Sequence, residues 1–129
     1  MKLGTLLVIT AVVSIVFGIA FILAPEQLLA LYGMKVPAAG LFLGRLFGAA
    51  LVTVGLIDWL ARDFTDAAAQ HAVVLPGLVG TAVGFVVALL GQLGGVSNAL
   101  GWTTVAIYGL LALGFAWFQF AKRTAAAPA

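Results

Sequence analysis

The sequence has 129 residues, of which 64% are hydrophobic and only 8% are charged. A soluble domain carries about 25% charged residues, so this composition excludes a soluble globular domain and favours a chain embedded in a membrane. The absence of cysteine excludes disulfides, thiolate nucleophiles, cysteine-ligated zinc and iron–sulfur clusters. The net charge of +2 comes from scattered basic and acidic residues, which gives no support to nucleic-acid binding.

Four apolar stretches are each long enough for a membrane-crossing helix, which needs about 20 apolar residues. They cover about residues 3–24, 38–61, 71–93 and 99–121. We therefore predict one domain over residues 1–124, an all-α integral membrane four-helix bundle. The Ala/Pro-rich residues 125–129 are predicted to form a disordered tail.

The first stretch is predicted to remain as a membrane anchor. Its apolar run is longer than the core of about 7–15 residues in a secretory signal peptide, and Pro25 follows Ala24 where cleavage would have to occur. Pro25 and Glu26 then provide helix start signals, and Gly33 provides a stop signal. This pattern predicts a short helix lying at the membrane surface after the first crossing.

Polar or glycine-rich turns separate the remaining crossings. Residues 62–66 form a polar hairpin, in which Thr65 is the predicted N-cap of the third crossing. Pro76 lies inside that crossing and is expected to kink it near Ala72. Residues 94–98 then form a tight turn into the fourth crossing.

The distribution of basic residues predicts the orientation. An even number of crossings places both termini and the second loop on one side, with most of the basic residues: Lys2, Arg62, Lys122 and Arg123. The other side has Lys35, together with Arg45 if its side chain reaches that far. Because the more basic side is cytoplasmic, we predict a multi-pass protein of the bacterial cell (inner) membrane with both termini in the cytoplasm.

Small residues recur every four positions on three of the crossings. They are Thr10, Ser14 and Gly18 on the first, Gly40, Gly44 and Gly48 on the second, and Gly80, Gly84 and Ala88 on the third. Membrane helices associate where small residues allow their backbones to come close. The stripes therefore predict close packing, either within one bundle or, for at least one stripe such as that of the second crossing, against another subunit.

Arg45 is the basic residue placed deepest in a predicted crossing, about 10 Å from the nearer interface at 1.5 Å per residue. A charge at this depth is costly and usually faces the protein interior or extends to the interface. Its expected partners in the same half of the membrane are Glu26, Gln92 and Asn98. This cluster is interpreted as a structural tie, as a site for an anionic headgroup or small anion, or as part of a transport path.

Two further ionisable groups receive mainly structural interpretations. Asp58 and Arg62 are four residues apart on one helix, which predicts an ion pair at the inner interface. His71, the single histidine, is interpreted as an interfacial polar residue, and whether it ligates haem or a pigment stays open. Since no catalytic triad, carboxylate pair or phosphate loop occurs, we expect no enzymatic activity, metal or cofactor.

An arginine–glycine stretch in the second crossing reads Leu43-Gly44-Arg45-Leu46-Phe47-Gly48-Ala49-Ala50. It continues to Gly55 and Trp59-Leu60-Ala61-Arg62, and it is preceded by Pro25 and Leu31-Tyr32-Gly33. This pattern resembles small uncharacterised four-helix membrane proteins of bacteria and, loosely, the DoxX-like group. The resemblance implies a fold and no activity. Small multidrug exporters and fluoride channels are four-helix chains too, but this sequence lacks the first-helix glutamate of the former and the third-helix Phe, Thr and Ser set of the latter.

Two functions are therefore expected from the sequence. The first is a non-catalytic integral membrane protein that acts through helix packing, as a homo-oligomer or as a small accessory subunit of a larger membrane complex. The alternative is a transporter or channel for a small anion or an amphiphile, centred on Arg45. The lipid bilayer and other membrane subunits are the expected partners in the first case.

Overall fold

A computed structural model of the chain describes residues 1–122. Over these residues the chain is helical and contains no strand. The elements are α1 (Leu3–Leu23), α2 (Pro25–Leu31), α3 (Ala38–Ala61), α4 (Ala67–Leu93), α5 (Gly101–Ala116) and a π-helical segment (Trp117–Lys122). Four helices are long and apolar enough to cross a membrane, with α5 counted through its continuation to Ala121. The predicted all-helical class is thus confirmed, whereas the predicted tail at 125–129 lies outside the described residues.

The ends of two helices follow from local side-chain chemistry. α2 begins with Pro25 at its first position, and Gly33 ends this segment with a φ of 75°, a left-handed conformation that favours glycine. α4 begins at Ala67, ahead of the predicted start at residue 71. Asp66 caps it, because its side-chain oxygen accepts a hydrogen bond from the Ala69 amide at 2.9 Å; Thr65 makes no such bond.

The long helices form two antiparallel pairs, α1 with α3 and α4 with α5. In the first pair the backbones come very close: a Cβ added at Gly48 would lie 2.6 Å from the Gly18 carbonyl oxygen, and one added at Gly4 would lie 2.6 Å from the Arg62 carbonyl oxygen. In the second pair aromatic rings lie over glycines, as Tyr108 does over Gly84. The small residues therefore bring helices together within this chain.

The two pairs meet mainly at their ends. We call the end at which α1 begins and α3 ends the N-terminal end, and the opposite end the far end. A buried cluster closes the N-terminal end and consists of Leu6, Leu7, Ala61, Val73, Val74, Phe115 and Phe118. At the far end Asn98 connects the two helix pairs. Its backbone N–H donates to the Tyr32 carbonyl at 2.9 Å, and its side-chain Nδ2 donates to the Leu31 carbonyl at 3.0 Å.

Candidate functional site

A cavity of about 600 Å³ lies between the two helix pairs. Its lining extends along α3 from Phe47 to Asp58 and along α5 from Thr104 to Phe115. Each of these stretches rises roughly 16 Å at 1.5 Å per residue, so the cavity is elongated along the bundle axis. Its volume lies within the range of about 300–1,000 Å³ that is typical of small-molecule sites.

The walls of the cavity are mostly apolar. Aromatic and aliphatic side chains from every long helix contribute to them: Phe17, Phe21, Phe47, Leu51, Val54, Ile57, Val73, Ile107, Leu111 and Phe115. Phe21 and Phe47 also contact each other edge to face, with their ring centroids 5.2 Å apart. An apolar wall of this kind favours an apolar body over water.

Small residues on α4 leave the space open. Ala72, Gly77 and Gly80 line the cavity, and a Cβ added at Gly80 would meet no atom within 4 Å. Pro76 lies on the same wall and has no N–H to donate to the Ala72 carbonyl. The residues of the predicted glycine stripe of the third crossing therefore have different surroundings. Gly80 borders the cavity, while Gly84 packs under the Tyr108 ring.

Asp58 brings a carboxyl group into this apolar environment from the last turn of α3. Its residue is only 5% exposed, and its Oδ2 has no hydrogen-bond partner among the residues that the structure describes. Among the described residues that line the cavity, only Asp58 has a side chain with a formal charge at neutral pH. The cavity therefore has a single polar anchor of this kind, close to the N-terminal end.

The predicted ion pair between Asp58 and Arg62 does not form. The Arg62 guanidinium lies over the Trp59 ring, 4.3 Å from its centroid, and its Nη1 donates to the Trp59 carbonyl. Its Nε is 3.6 Å from the exposed carboxylate of Asp63. Arg62 thus stays at the end of the helix, where carbonyls lack intrahelical donors, and is not desolvated beside the buried carboxyl of Asp58.

Hydroxyl groups add further polar atoms to the wall. Thr10 and Thr81 satisfy their hydroxyls within their own helices, by donating to the Leu6 carbonyl at 2.9 Å and the Gly77 carbonyl at 2.6 Å. Two other hydroxyls on the wall, those of Ser14 and Tyr108, make no hydrogen bond within the described part of the chain. Those two hydroxyls and the carboxyl of Asp58 are therefore available to a bound molecule.

The cluster predicted around Arg45 is only partly assembled. The Arg45 side chain is exposed, does not line the cavity, and donates from Nε to the Ile22 carbonyl at 3.3 Å near the end of α1. Glu26 is also exposed and forms no ion pair with it. Gln92 and Asn98 do come together, because the Gln92 Nε2 donates to the Asn98 carbonyl at 3.0 Å. That hydrogen bond stabilises the turn between α4 and α5, and Arg45 takes no part in it.

The glycine stripe of the second crossing is used inside the chain. Gly48 faces α1, where Gly18 and Phe21 are its nearest neighbours, and Gly44 faces Phe21 at ordinary contact distance. Gly40 faces Val36 in the segment that precedes α3. This arrangement is the packing within one bundle that the sequence allowed, and these contacts are not made to a second subunit.

No metal centre accompanies the cavity: the described residues include no group of three or more His, Asp or Glu placed to hold a metal ion. His71 lies near the start of α4 and does not line the cavity. Sequence reasoning assigned Asp58 to an ion pair with Arg62 because of their spacing, and it did not predict that Asp58 lines a cavity. One signal could have found it, since Asp58 is the single acidic residue inside a predicted crossing.

The match to known sequences covers nearly all of this architecture. Residues 1–118 match the family model described as a domain of unknown function, DUF8292. The chain belongs to the DUF8292 family. The DUF8292 match contains every residue that lines the cavity, Asp58 included. No curated protein and no solved structure matches the chain, and the resemblance to DoxX-like proteins stays a prediction.

Proposed function

We propose that this protein is a non-catalytic integral membrane protein that binds one amphiphilic molecule between its two helix pairs. The observation that carries the proposal is the elongated apolar cavity of about 600 Å³. The apolar part of the ligand occupies this cavity, and the polar part contacts the carboxyl and hydroxyl groups on the wall.

Membrane insertion is part of the proposal. Large apolar side chains are exposed along the outer faces of the helices, and examples are Val16, Phe42, Leu60, Val87 and Leu110. Hydrocarbon covers such faces without the cost that water would impose. The basic residues support an orientation in a bacterial inner membrane with both termini, and hence the N-terminal end of the bundle, at the cytoplasmic face.

The packing of the helices supports entry of the ligand from the bilayer. α3 packs chiefly on α1, and α4 packs chiefly on α5, while contacts between the two pairs are sparse. A molecule dissolved in the membrane can therefore reach the cavity between the pairs without first crossing water. Its tail exchanges one apolar environment for another, so the selectivity of binding comes from shape and from the polar atoms.

The functions expected from the sequence change accordingly. Amphiphile handling is retained in the proposal, but it is centred on the cavity and Asp58 because Arg45 lies outside the lining. A homo-oligomer or an accessory role stays a prediction. The glycine stripe of the second crossing no longer supports it, since Gly48 packs on α1 of the same chain. The mass of the complex released intact from lipid nanodiscs tests that prediction.

Photolabelling with a matched pair of glycine variants tests the cavity. The probe is a ten-carbon alcohol that carries a diazirine, added to the purified protein in phosphatidylcholine nanodiscs. Gly80 lines the cavity and an added Cβ meets no atom within 4 Å, so Gly80→Leu should fill part of the cavity. Gly91→Leu is the control, because Gly91 lies on the same helix, also has nothing within 4 Å of an added Cβ, and does not line the cavity.

We expect saturable labelling of cavity-lining peptides in the wild type and in Gly91→Leu, and its loss in Gly80→Leu. An excess of the unlabelled alcohol should compete with this labelling, which separates the cavity from lipid-facing surfaces. Equal saturable labelling in both variants would refute binding in the cavity.

A further inference from the structure

The carboxyl of Asp58 lacks the counter-charge that a buried acid normally has. The residue is 5% exposed and its Oδ2 has no partner among the described residues. A buried ionised group without a partner costs several kcal/mol, so proteins usually pair such a group or hydrogen-bond it. A positive charge placed beside Asp58 would therefore stabilise its ionised carboxylate strongly.

The described part of the chain does not provide that positive charge. Arg62 is held at Trp59 and Asp63, and Arg45 donates to the Ile22 carbonyl. No lysine or arginine of the described residues lines the cavity. A bound molecule with a positive charge would provide the counter-charge that the described residues do not give to an ionised Asp58.

We infer that Asp58 selects amphiphiles with a cationic head, so that an ammonium-type group lies beside its carboxylate and the apolar tail extends toward the far end. This inference rests on the proposed function and names the chemical class of the ligand. It assigns to Asp58 a recognition role that the sequence spacing to Arg62 did not suggest.

The placement of Asp58 in the cavity fits this ligand. Asp58 is three residues from the end of α3, and the cluster that contains Ala61 and Phe115 closes the bundle next to it. From there the lining extends about 16 Å toward Thr104, and its described residues include no other carboxylate. Phe115 lines the same end of the cavity, and an aromatic ring near a cation adds a favourable electrostatic interaction.

The same geometry disfavours the other two charge types. An anionic head would be repelled by the carboxylate, and the described part of the lining holds no basic side chain to attract it. A neutral head would leave the buried charge without a counter-charge. The head group therefore determines the order of affinity, while the tail contributes equally in all three cases.

Three probes with the same ten-carbon tail and diazirine test the inference, with a trimethylammonium, a hydroxyl or a sulfate head. They compete for labelling in phosphatidylcholine nanodiscs, and each concentration is corrected for partitioning into protein-free nanodiscs. In the wild type the cationic probe should bind at least about tenfold more tightly than the alcohol, equal to about 1.4 kcal/mol, and the sulfate should bind most weakly.

Asp58→Asn should abolish the preference for the cationic probe and retain labelling by the alcohol. Asp63→Asn is the matched control, because it removes one negative charge from a side chain that is 82% exposed and outside the cavity lining. It should keep the wild-type preference.

Equal affinity of the wild type for the cationic and neutral probes would overturn the inference and leave the cavity proposal standing. A preference that persists in Asp58→Asn would overturn it as well. Absence of saturable labelling by all three probes would instead refute the proposed function, and with it the inference. The wild-type comparison decides the matter by itself if Asp58→Asn does not fold.

Discussion

Replacing Gly48 with alanine tests the tight contact between α1 and α3. An added Cβ would lie 2.6 Å from the Gly18 carbonyl oxygen and 2.9 Å from the Cβ of Phe21. Both neighbouring atoms belong to the framework of α1 and cannot rotate away. Gly44, one turn earlier on the same face, has its nearest neighbour at 3.6 Å in the Phe21 ring, so alanine fits there.

The difference in stability between Gly48→Ala and Gly44→Ala measures the effect of the close contact between α1 and α3 at Gly48. Alanine at either position gains up to about 1 kcal/mol in helix propensity over glycine. Overpacking at Gly48 costs about 1–3 kcal/mol, because α1 and α3 have to move apart along a contact that extends over most of their length. We therefore expect Gly48→Ala to be less stable than Gly44→Ala by about 1–3 kcal/mol.

Equilibrium unfolding with sodium dodecyl sulfate in mixed micelles measures this difference. The free energies of unfolding of the wild type and the two variants are compared at the same lipid-to-detergent ratio. Equal stability of Gly48→Ala and Gly44→Ala would show that α1 and α3 do not approach each other as closely as this structure has them. A loss in Gly44→Ala alone would contradict the assigned face of α3.

Further predictions concern the far end and the topology. Arg45→Gln and Glu26→Gln should act independently, with a coupling below about 0.5 kcal/mol in a double-mutant cycle of unfolding, because the two side chains form no ion pair; a larger coupling would contradict the structure. Asn98→Ala should lower the free energy of unfolding by about 1–3 kcal/mol, since it removes the side-chain bonds to the Leu31 carbonyl and from the Leu100 amide; unchanged hydrogen exchange in this region would contradict that role. Reporter fusions after the last residue and in the 94–100 loop should lie on opposite sides of the membrane, and the same side for both would exclude four crossings.

The sequence alone determined where the long helices lie. Length and apolarity indicate four helices because a helix satisfies its own backbone hydrogen bonds, and the limits of α3 match the prediction at 38–61. Local chemistry also indicates α2, where proline begins the helix and Gly33 ends the segment. Thr65 and Asp66 can both cap a helix, and only the structure shows that the Asp66 carboxylate accepts the hydrogen bond from the Ala69 amide.

Only the tertiary structure decided which faces of these helices point inward. Both the lipid and the interior are apolar, so the hydrophobic pattern of a helix carries little information about its rotation. The contact of Gly48 with α1, the opening at Gly80 and the burial of Asp58 all depend on that rotation and on segments distant in sequence. The spacing of Asp58 and Arg62 allows a pair on an isolated helix. In the folded chain, packing buries Asp58, and the Arg62 guanidinium contacts Trp59 and Asp63 at the helix end instead.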